Sequence, residues 1–314
     1  MDIVHGPRAG AFAPDATITC DFNEKDFGGD DPKFACAIDA PAGQGSSSGD
    51  IVKVRYGRDN GEVYAGVAAT RLLWALGFGA DVLYPVRVVC RGCPAQMQSE
   101  GMATERAITF DVAAVERKFP GREIDSFPDE GWSWSELDSV SAKDGGASRA
   151  QRDGLKLLLA VLQHTDSKAA QQRLVCADER VPASSLAACA HPFMLVHDVG
   201  HTFAHARVLT GLAARSALRD WTATPVWKDA SRCVATVTPN AEGTLRDPVI
   251  SEEGREFLAG LLDQLSESQM RDLFTVARFD RAAHAGDSVD AWVSAFRRKR
   301  DEIDSARCGL SSAP

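Results

Sequence analysis

Apolar and polar residues alternate through Asp50-Ile51-Val52-Lys53-Val54-Arg55-Tyr56, which predicts a half-buried strand at 50–57 with a lysine at its middle. The period then lengthens. In GEVYAGVAATRLLWALGF (Gly61–Phe78), Val63, Val67, Leu72, Leu73 and Leu76 recur at roughly helical spacing, so a helix follows directly, with its only acid, Glu62, at its start. Upstream, Thr17–Phe22 and Lys33–Ile38 read as short strands around Phe27-Gly28-Gly29-Asp30-Asp31, and Ala40–Gly49 (APAGQGSSSG) as a flexible turn. Downstream, Gln96–Glu105 reads as an exposed polar loop, and Ala107–Gly121 joins a short apolar strand to AAVERKFPG. A strongly apolar helix is predicted at Ala150–Leu162, and HPFMLVHDVG reads as a short strand entering a loop. Ser251–Leu262, Ser266–Arg278 and Asp287–Ser305 are amphipathic, the first two with a serine ahead of acids or amides in the first turn. FRRKRDEID (Phe296–Asp304) looks like a solvated helix face with i,i+4 charge pairs.

Two aspartates stand just beyond apolar runs, Asp166 after LKLLLAVLQHT and Asp198 after MLVH. Between them lie Lys168, Gln171 and Gln172. Kinase-like phosphotransferases lay out a catalytic loop and a metal loop in this order, an Asp followed about five residues later by an amide and then a strand ending in Asp-x-Gly. Here the second loop reads Asp198-Val199-Gly200. Carboxylate and amide oxygens suit Mg²⁺, a hard cation that bridges phosphates. Lys53 sits where a kinase keeps the lysine that neutralises the α- and β-phosphates, and Gly28 and Gly29 allow a backbone turn to approach phosphate closely.

The chain resembles bacterial proteins related to the atypical kinases, the group of HipA-like serine kinases, secretory-pathway kinases and phosphatidylinositol kinases. The resemblance is carried by VKVRYG (Val52–Gly57), VAATRLLWALGFGAD (Val67–Asp81), YPVRVVCRGCP (Tyr84–Pro94), GWSW (Gly131–Trp134), Gly154–Cys176, the DVG segment and DWTATPVWKD (Asp220–Asp229). It implies an α+β, two-lobed protein-kinase-like fold. Residues 1–125 would form an N-terminal lobe of antiparallel sheet plus one helix, and 126–314 a mostly helical lobe carrying both loops. It further implies ATP and Mg²⁺, with Mn²⁺ as a substitute. Lys53, Glu62, Gly28 and Gly29 would bind nucleotide, Asp198 and Gln171 would hold metal, Asp166 would act as base, and Lys168 would stabilise the transferring phosphoryl group. The acceptor is a hydroxyl of a protein or a small molecule.

Two positions depart from that pattern. Gln171 stands where relatives carry Asn, and Gly66 where a helix glutamate is expected, leaving Glu62 to hold the lysine. A pseudokinase-like binding module without turnover is therefore the alternative. A third reading takes His197-Asp198 as the metal pair of a helical phosphohydrolase, completed by His164 and Asp280 or Asp290. The predicted strands of the first ninety residues weigh against it, leaving His201 and His205 as loop or surface histidines. Glu116 or its backbone is placed near the adenine. Trp132 and Trp134 are read as packing a lobe interface.

A net charge of −9 and a pI near 5.3 weigh against non-specific nucleic-acid or anionic-membrane binding. No apolar run reaches about eighteen residues, so no membrane span is expected, and Met1–Pro14 lacks the apolar core of a signal peptide. Eight cysteines change the picture again. They permit disulfides and an exported life, with Cys20–Cys36 and Cys176–Cys189 preferred because each flanks one local excursion. The alternatives are free buried thiols, or zinc on Cys90, Cys93, Cys176 and Cys189.

Overall fold

A computed structural model describes residues 1–7, 12–29, 31–38, 50–104, 106–124, 130–176, 189, 192–204, 217–238, 243–282 and 287–308. The predicted turn at 40–49, Asp30, His205 and the boundary at residue 125 lie outside these residues. The fold is mixed α+β. Strands β1 (Thr17–Asn23), β2 (Lys33–Ile38) and β3 (Asp50–Tyr56) form an antiparallel run, followed by helix α1 (Gly61–Ala75), the short β4 (Gly79–Ala80) and β5 (Val82–Arg91). After β6 (Met102–Ala103), the long β7 (Ala107–Arg117) pairs with both β5 and β3, closing the order β3-β2-β1-β5-β7 into a five-stranded barrel.

The expected antiparallel sheet is corrected here: β1 and β5 run parallel, Thr17 opposite Arg87. A parallel pair needs a long crossover, and β2, β3 and α1 provide it. Closure removes the open edges that a five-stranded sheet would expose. Val52, Val54 and Tyr56 face the barrel interior with Phe34, Val88 and Phe110, Tyr56 and Phe110 having ring centroids 4.6 Å apart. The alternate residues Lys53 and Arg55 consequently point out of the barrel.

Helix α1 covers that outer face. Asn60 caps it, accepting from the Glu62 amide at 3.1 Å while donating to the carbonyls of Pro32 at 3.0 Å and Tyr56 at 3.1 Å. Its residues are buried on nearly every side, as expected of a helix sandwiched between the barrel and the rest of the chain. Gly66 packs closely there: a Cβ would lie 2.7 Å from Leu83 Cδ2, whose side chain would have to shift, and in ordinary contact, 3.8 Å, with Gly200 Cα.

The second half begins with β8 (Arg122–Ile124), α2 (Trp134–Leu137) and α3 (Arg149–Leu162). Helix α3 opens on a Ser148–Gln151 capping box and stops where Gln163 turns left-handed at φ 55°. Strands β9 (Gln172–Cys176) and β10 (Pro192–Val196) form a hairpin flanked by β8 and, in parallel, by β4, so the first half contributes a strand to this second sheet. Helix α4 (Ala217–Ala223) and the hairpin β11 (Trp227–Asp229) and β12 (Val234–Ala235) precede α5 (Glu252–Leu262), α6 (Glu267–Val276) and α7 (Val289–Ser305). Ser251 and Ser266 cap the first two of these as read from the sequence, and Ser288 caps the third. One detail differs. Lys299 is not on a solvated face: it is buried, donates to the Thr224 carbonyl at 2.6 Å and lies 5.1 Å from the Trp221 ring, and burial lowers its ammonium to about 8. Trp134 is buried in the main core and Trp132 packs partly against it.

The cysteines form four disulfides, Cys20–Cys36, Cys90–Cys93, Cys176–Cys189 and Cys233–Cys308, with Cα separations of 5.3–5.9 Å. The four-cysteine zinc site is thereby overturned, since its thiolates are consumed, and no free cysteine remains among the described residues. No described helix is long and apolar enough to cross a membrane.

Candidate active site

The outward face of β3 carries two cations, and three carboxylates gather on them. Arg55, 2% exposed, pairs through Nη1 with Glu62 of α1 and through Nη2 with Asp198 Oδ1 at 2.5 Å and Glu116 Oε2 at 3.3 Å. Lys53 Nζ sits 2.7 Å from Glu116 Oε2, its direct cross-strand neighbour on β7. The expected Lys53–Glu62 pair is therefore corrected. Glu62 holds Arg55, two residues further along the strand, and Glu116 holds Lys53 instead of lying free beside a base. Burial tends to raise the Asp198 carboxyl, but the adjacent Arg55 and Lys53 charges hold it far below the usual carboxylate range. Burial pulls the Lys53 ammonium down despite Glu116. A third cation, Lys118, reaches the other Glu116 oxygen at 3.4 Å, so three carboxylates are met by three basic side chains.

Asp198 itself has a left-handed backbone, φ 48°, as does Phe203 at 55°. Such non-glycine conformations persist only where packing over-determines them, and they concentrate at functional loops. Phe203 supplies the packing. It is fully buried among Trp221 at 5.2 Å, Phe279 at 5.4 Å and Phe274 at 6.0 Å between ring centroids. Gly200 gives the close fit on the other side, where a Cβ would meet Glu62 Cβ and Cγ at 2.9 Å.

Backbone bonds stitch the second acidic loop to the first. Thr165 N donates to His201 O at 3.1 Å, Phe203 N to Leu162 O at 2.6 Å, and His197 N to Gln171 O at 2.7 Å. Asp166 is thus carried beside the Asp198 loop. Its carboxylate receives the Gln171 side-chain amide at 3.3 Å and lies 3.5 Å from Lys168 Nζ. Asp166, Lys168 and Gln171 form one group, and Lys53 of β3, Glu62 of α1 and Asp198 another, the loops of Asp166 and Asp198 adjoining. Between them His164 is fully buried, with no partner for either ring nitrogen among the described residues; burial lowers it to about 4, keeping it neutral beside the charges of Asp166 and Asp198.

The glycine turn lies on the same side. Gly28 and Gly29 adopt φ 62° and 73°, and the preceding Phe27 ring sits 5.7 Å from Lys53 Nζ. Beyond the turn, Asp31 reaches His201 Nε2 at 3.4 Å, and His201 Nε2 also lies 2.9 Å from Glu62 Oε1. His201 is accordingly a partly buried loop histidine that joins the cluster.

A second charged group lies one residue before Asp198. His197 joins Asp81 Oδ2 through Nδ1 at 2.6 Å and Glu123 Oε1 through Nε2 at 3.1 Å, and Lys118 Nζ reaches Asp81 at 2.9 Å. These residues, with Phe119, Val175 and Leu195, line a pocket of about 440 Å³. His197 and Asp198 thus turn to different partners, Asp280 is exposed, and Asp290 pairs with Arg271, so the phosphohydrolase metal set is not assembled. Burial pushes Asp81 up, but the His197 hydrogen bond and charge, with Lys118, override it and leave the carboxyl at about 2. Its contribution to stability is complete above the ordinary value of 3.8 and is lost as pH falls through about 2. His197 acts oppositely: its raised folded value means stability complete below 6.5 and lost as pH climbs through the folded value. Asp81→Asn is expected to cost on the order of 2 kcal/mol near neutral pH, with the deficit shrinking below about pH 3. Urea denaturation across that range checks it, and equal stabilities near neutrality would contradict it.

Sequence reasoning reached Lys53, Asp166, Gln171 and Asp198 through spacing. It missed Asp31, Asp81 and the roles of Glu116, His197 and His201, which meet their partners across 61–170 residues without any short motif. Strand alternation alone already placed Arg55 on the face of Lys53.

No model of a known protein family matches this chain, and no curated protein matches it in sequence. Among solved structures, it is similar to the crystal structure of a Helicobacter pylori proinflammatory kinase, CtkA, at 10% identity and a TM-score of 0.47, covering 93% of this chain and 95% of that one.

Proposed function

We propose that this chain is a two-lobed, kinase-like phosphotransferase that moves the γ-phosphoryl group of ATP to a hydroxyl of a protein or small molecule. The observation that carries the reading is the ion-pair chain Glu62–Arg55–Asp198 beside Lys53, which joins a barrel strand, a helix and the loop after β10 at one point. Phosphate is received by Lys53 beneath the Gly28–Gly29 turn. The pocket beside His197 and Phe119 takes the base, because it adjoins the cluster through Lys118–Glu116 and through His197–Asp198.

The donors suit Mg²⁺ or Mn²⁺ in kind: the Asp198 carboxylate, one-third exposed, and the amide oxygen of Gln171. Such a cation, when bound, neutralises charge on the phosphates. Lys53 adds a fixed positive charge, and Arg55 acts as a strut that positions Asp198. In transfer, the acceptor oxygen forms a bond to the γ-phosphorus, the bond to the β,γ-bridging oxygen breaks, and ADP leaves. The acceptor's hydroxyl proton passes to the Asp166 carboxylate, with Lys168 beside the transferring group. Four disulfides support residence in an oxidising compartment.

Calorimetric titration of MgATP tests this reading. Lys53→Ala and Asp198→Ala are each expected to weaken binding about 10–100-fold, the worth of one charge-assisted contact. Unchanged affinity in both would mean the nucleotide site is elsewhere. One observation favours a binding module without turnover: Asp198 Oδ1 is already engaged by Arg55 at 2.5 Å. Loss of catalysis would then leave nucleotide binding intact.

A further inference from the structure

We propose that Asp31, Glu62 and His201 form a second cation site, selective for a borderline transition metal such as Zn²⁺, that fastens the glycine turn to the Asp198 loop independently of nucleotide. Among the described residues, only these three His, Cys, Asp or Glu side chains bring their ligand atoms within 4.8 Å of one another. Ligands at about 2.05 Å around a tetrahedral ion stand roughly 3.3 Å apart. Two of the three edges are 2.9 Å for His201 Nε2 to Glu62 Oε1 and 3.4 Å for His201 Nε2 to Asp31 Oδ2, and the third lies within 4.8 Å.

The donor set is one imidazole nitrogen and two carboxylates, which suits zinc or a neighbouring metal better than Mg²⁺, a cation that prefers all-oxygen surroundings. Two further contacts hold the ligands in place, as metal sites generally require. The other Glu62 oxygen, Oε2, is fixed by Arg55, so Oε1 is presented toward His201. The His201 carbonyl accepts from Thr165 N, which fixes the backbone that carries the ring. Asp31 and His201 side chains are 28% and 20% exposed, giving the ion a route in and leaving a fourth position for water. Thiolates do not compete, since every cysteine is in a disulfide.

The function follows from where the three residues lie. Asp31 follows Gly28–Gly29, Glu62 begins α1, and His201 follows Asp198-Val199-Gly200. One ion would tie the turn, the helix and the metal loop together, fixing the cleft before substrate arrives.

The test uses the full chain, stripped with chelator and free of nucleotide, titrated calorimetrically with Zn²⁺. Co²⁺ absorption reports coordination geometry. Wild type is expected to bind one tight equivalent, with a tetrahedral Co²⁺ spectrum. His201→Ala and Asp31→Asn are expected to weaken Zn²⁺ at least about 100-fold, above the range seen for residues that only support ligands. His5→Ala, at the exposed His5–Asp2 pair, is expected to leave affinity unchanged. Circular dichroism verifies folding, and the partly exposed Asp31 variant serves if His201→Ala unfolds. Absence of stoichiometric Zn²⁺ binding by wild type, unchanged affinity in the site variants, or loss in His5→Ala alone would overturn the site. Because no nucleotide is present, failure here and failure of the MgATP titration are separate results.

Discussion

Replacing Arg55 with methionine is expected to lower the unfolding free energy by about 3–5 kcal/mol, the cost of removing one partner from a buried ion pair. Arg55 is 2% exposed and is shared by Glu62, Glu116 and Asp198. Its removal leaves Glu62 with His201 alone and Asp198 with the more distant Lys53. Methionine keeps most of the side-chain volume, so the loss reports charge and hydrogen bonding more than packing. Lys53→Met makes a useful contrast, because Lys53 is partly exposed and contacts Glu116 alone within this cluster, so its cost should be clearly smaller. Guanidinium denaturation of the three proteins measures the difference. A loss below about 1 kcal/mol for Arg55→Met would mean that the pairs joining barrel, helix and loop are not closed in solution.

Asp166→Asn is expected to leave MgATP affinity nearly intact while slowing phosphoryl transfer about 10²–10⁴-fold, the usual worth of a positioned general base. The substitution keeps the shape of the side chain, including an oxygen able to accept from Gln171, and removes only the capacity to take a proton. Asp166 lies on a different loop from the ion-pair cluster on β3, which is why binding and turnover should separate. ATP turnover and self-transfer by wild type, with Mg²⁺ and then Mn²⁺, set the reference. Wild type that binds ATP but turns over none of it with either metal would make the chain a binding module, and the Asp166 variant would then be indistinguishable from it.

Much of the local structure was legible because the relevant signals are short-range. Lysine and arginine two apart on an alternating strand had to share a face, and Ser251 and Ser266 announced their helices through side-chain competition for backbone amides. The two acidic loops were legible through spacing, since each must follow an element that delivers it. The pairing of Lys53 with Glu116 was not, because β3 meets β7 only when the barrel closes, and closure depends on the parallel β1–β5 seam. Gly66 looked like a lost glutamate. It packs under Leu83, while Gly200 lets the Asp198 loop lie close against Glu62, which sits one turn earlier and takes the arginine instead. The Asp81–His197 pair joins positions 116 residues apart, and no periodicity encodes such a distance.

A crystal structure with a non-hydrolysable ATP analogue and Mn²⁺, located by its anomalous signal, tests the central claim most directly. The account predicts phosphates within hydrogen-bonding reach of Lys53 Nζ, the base beside Phe119 and His197, and manganese on the Asp198 carboxylate. Nucleotide bound away from the outer face of β3, with Asp198 still closed on Arg55 and no metal beside it, would contradict it.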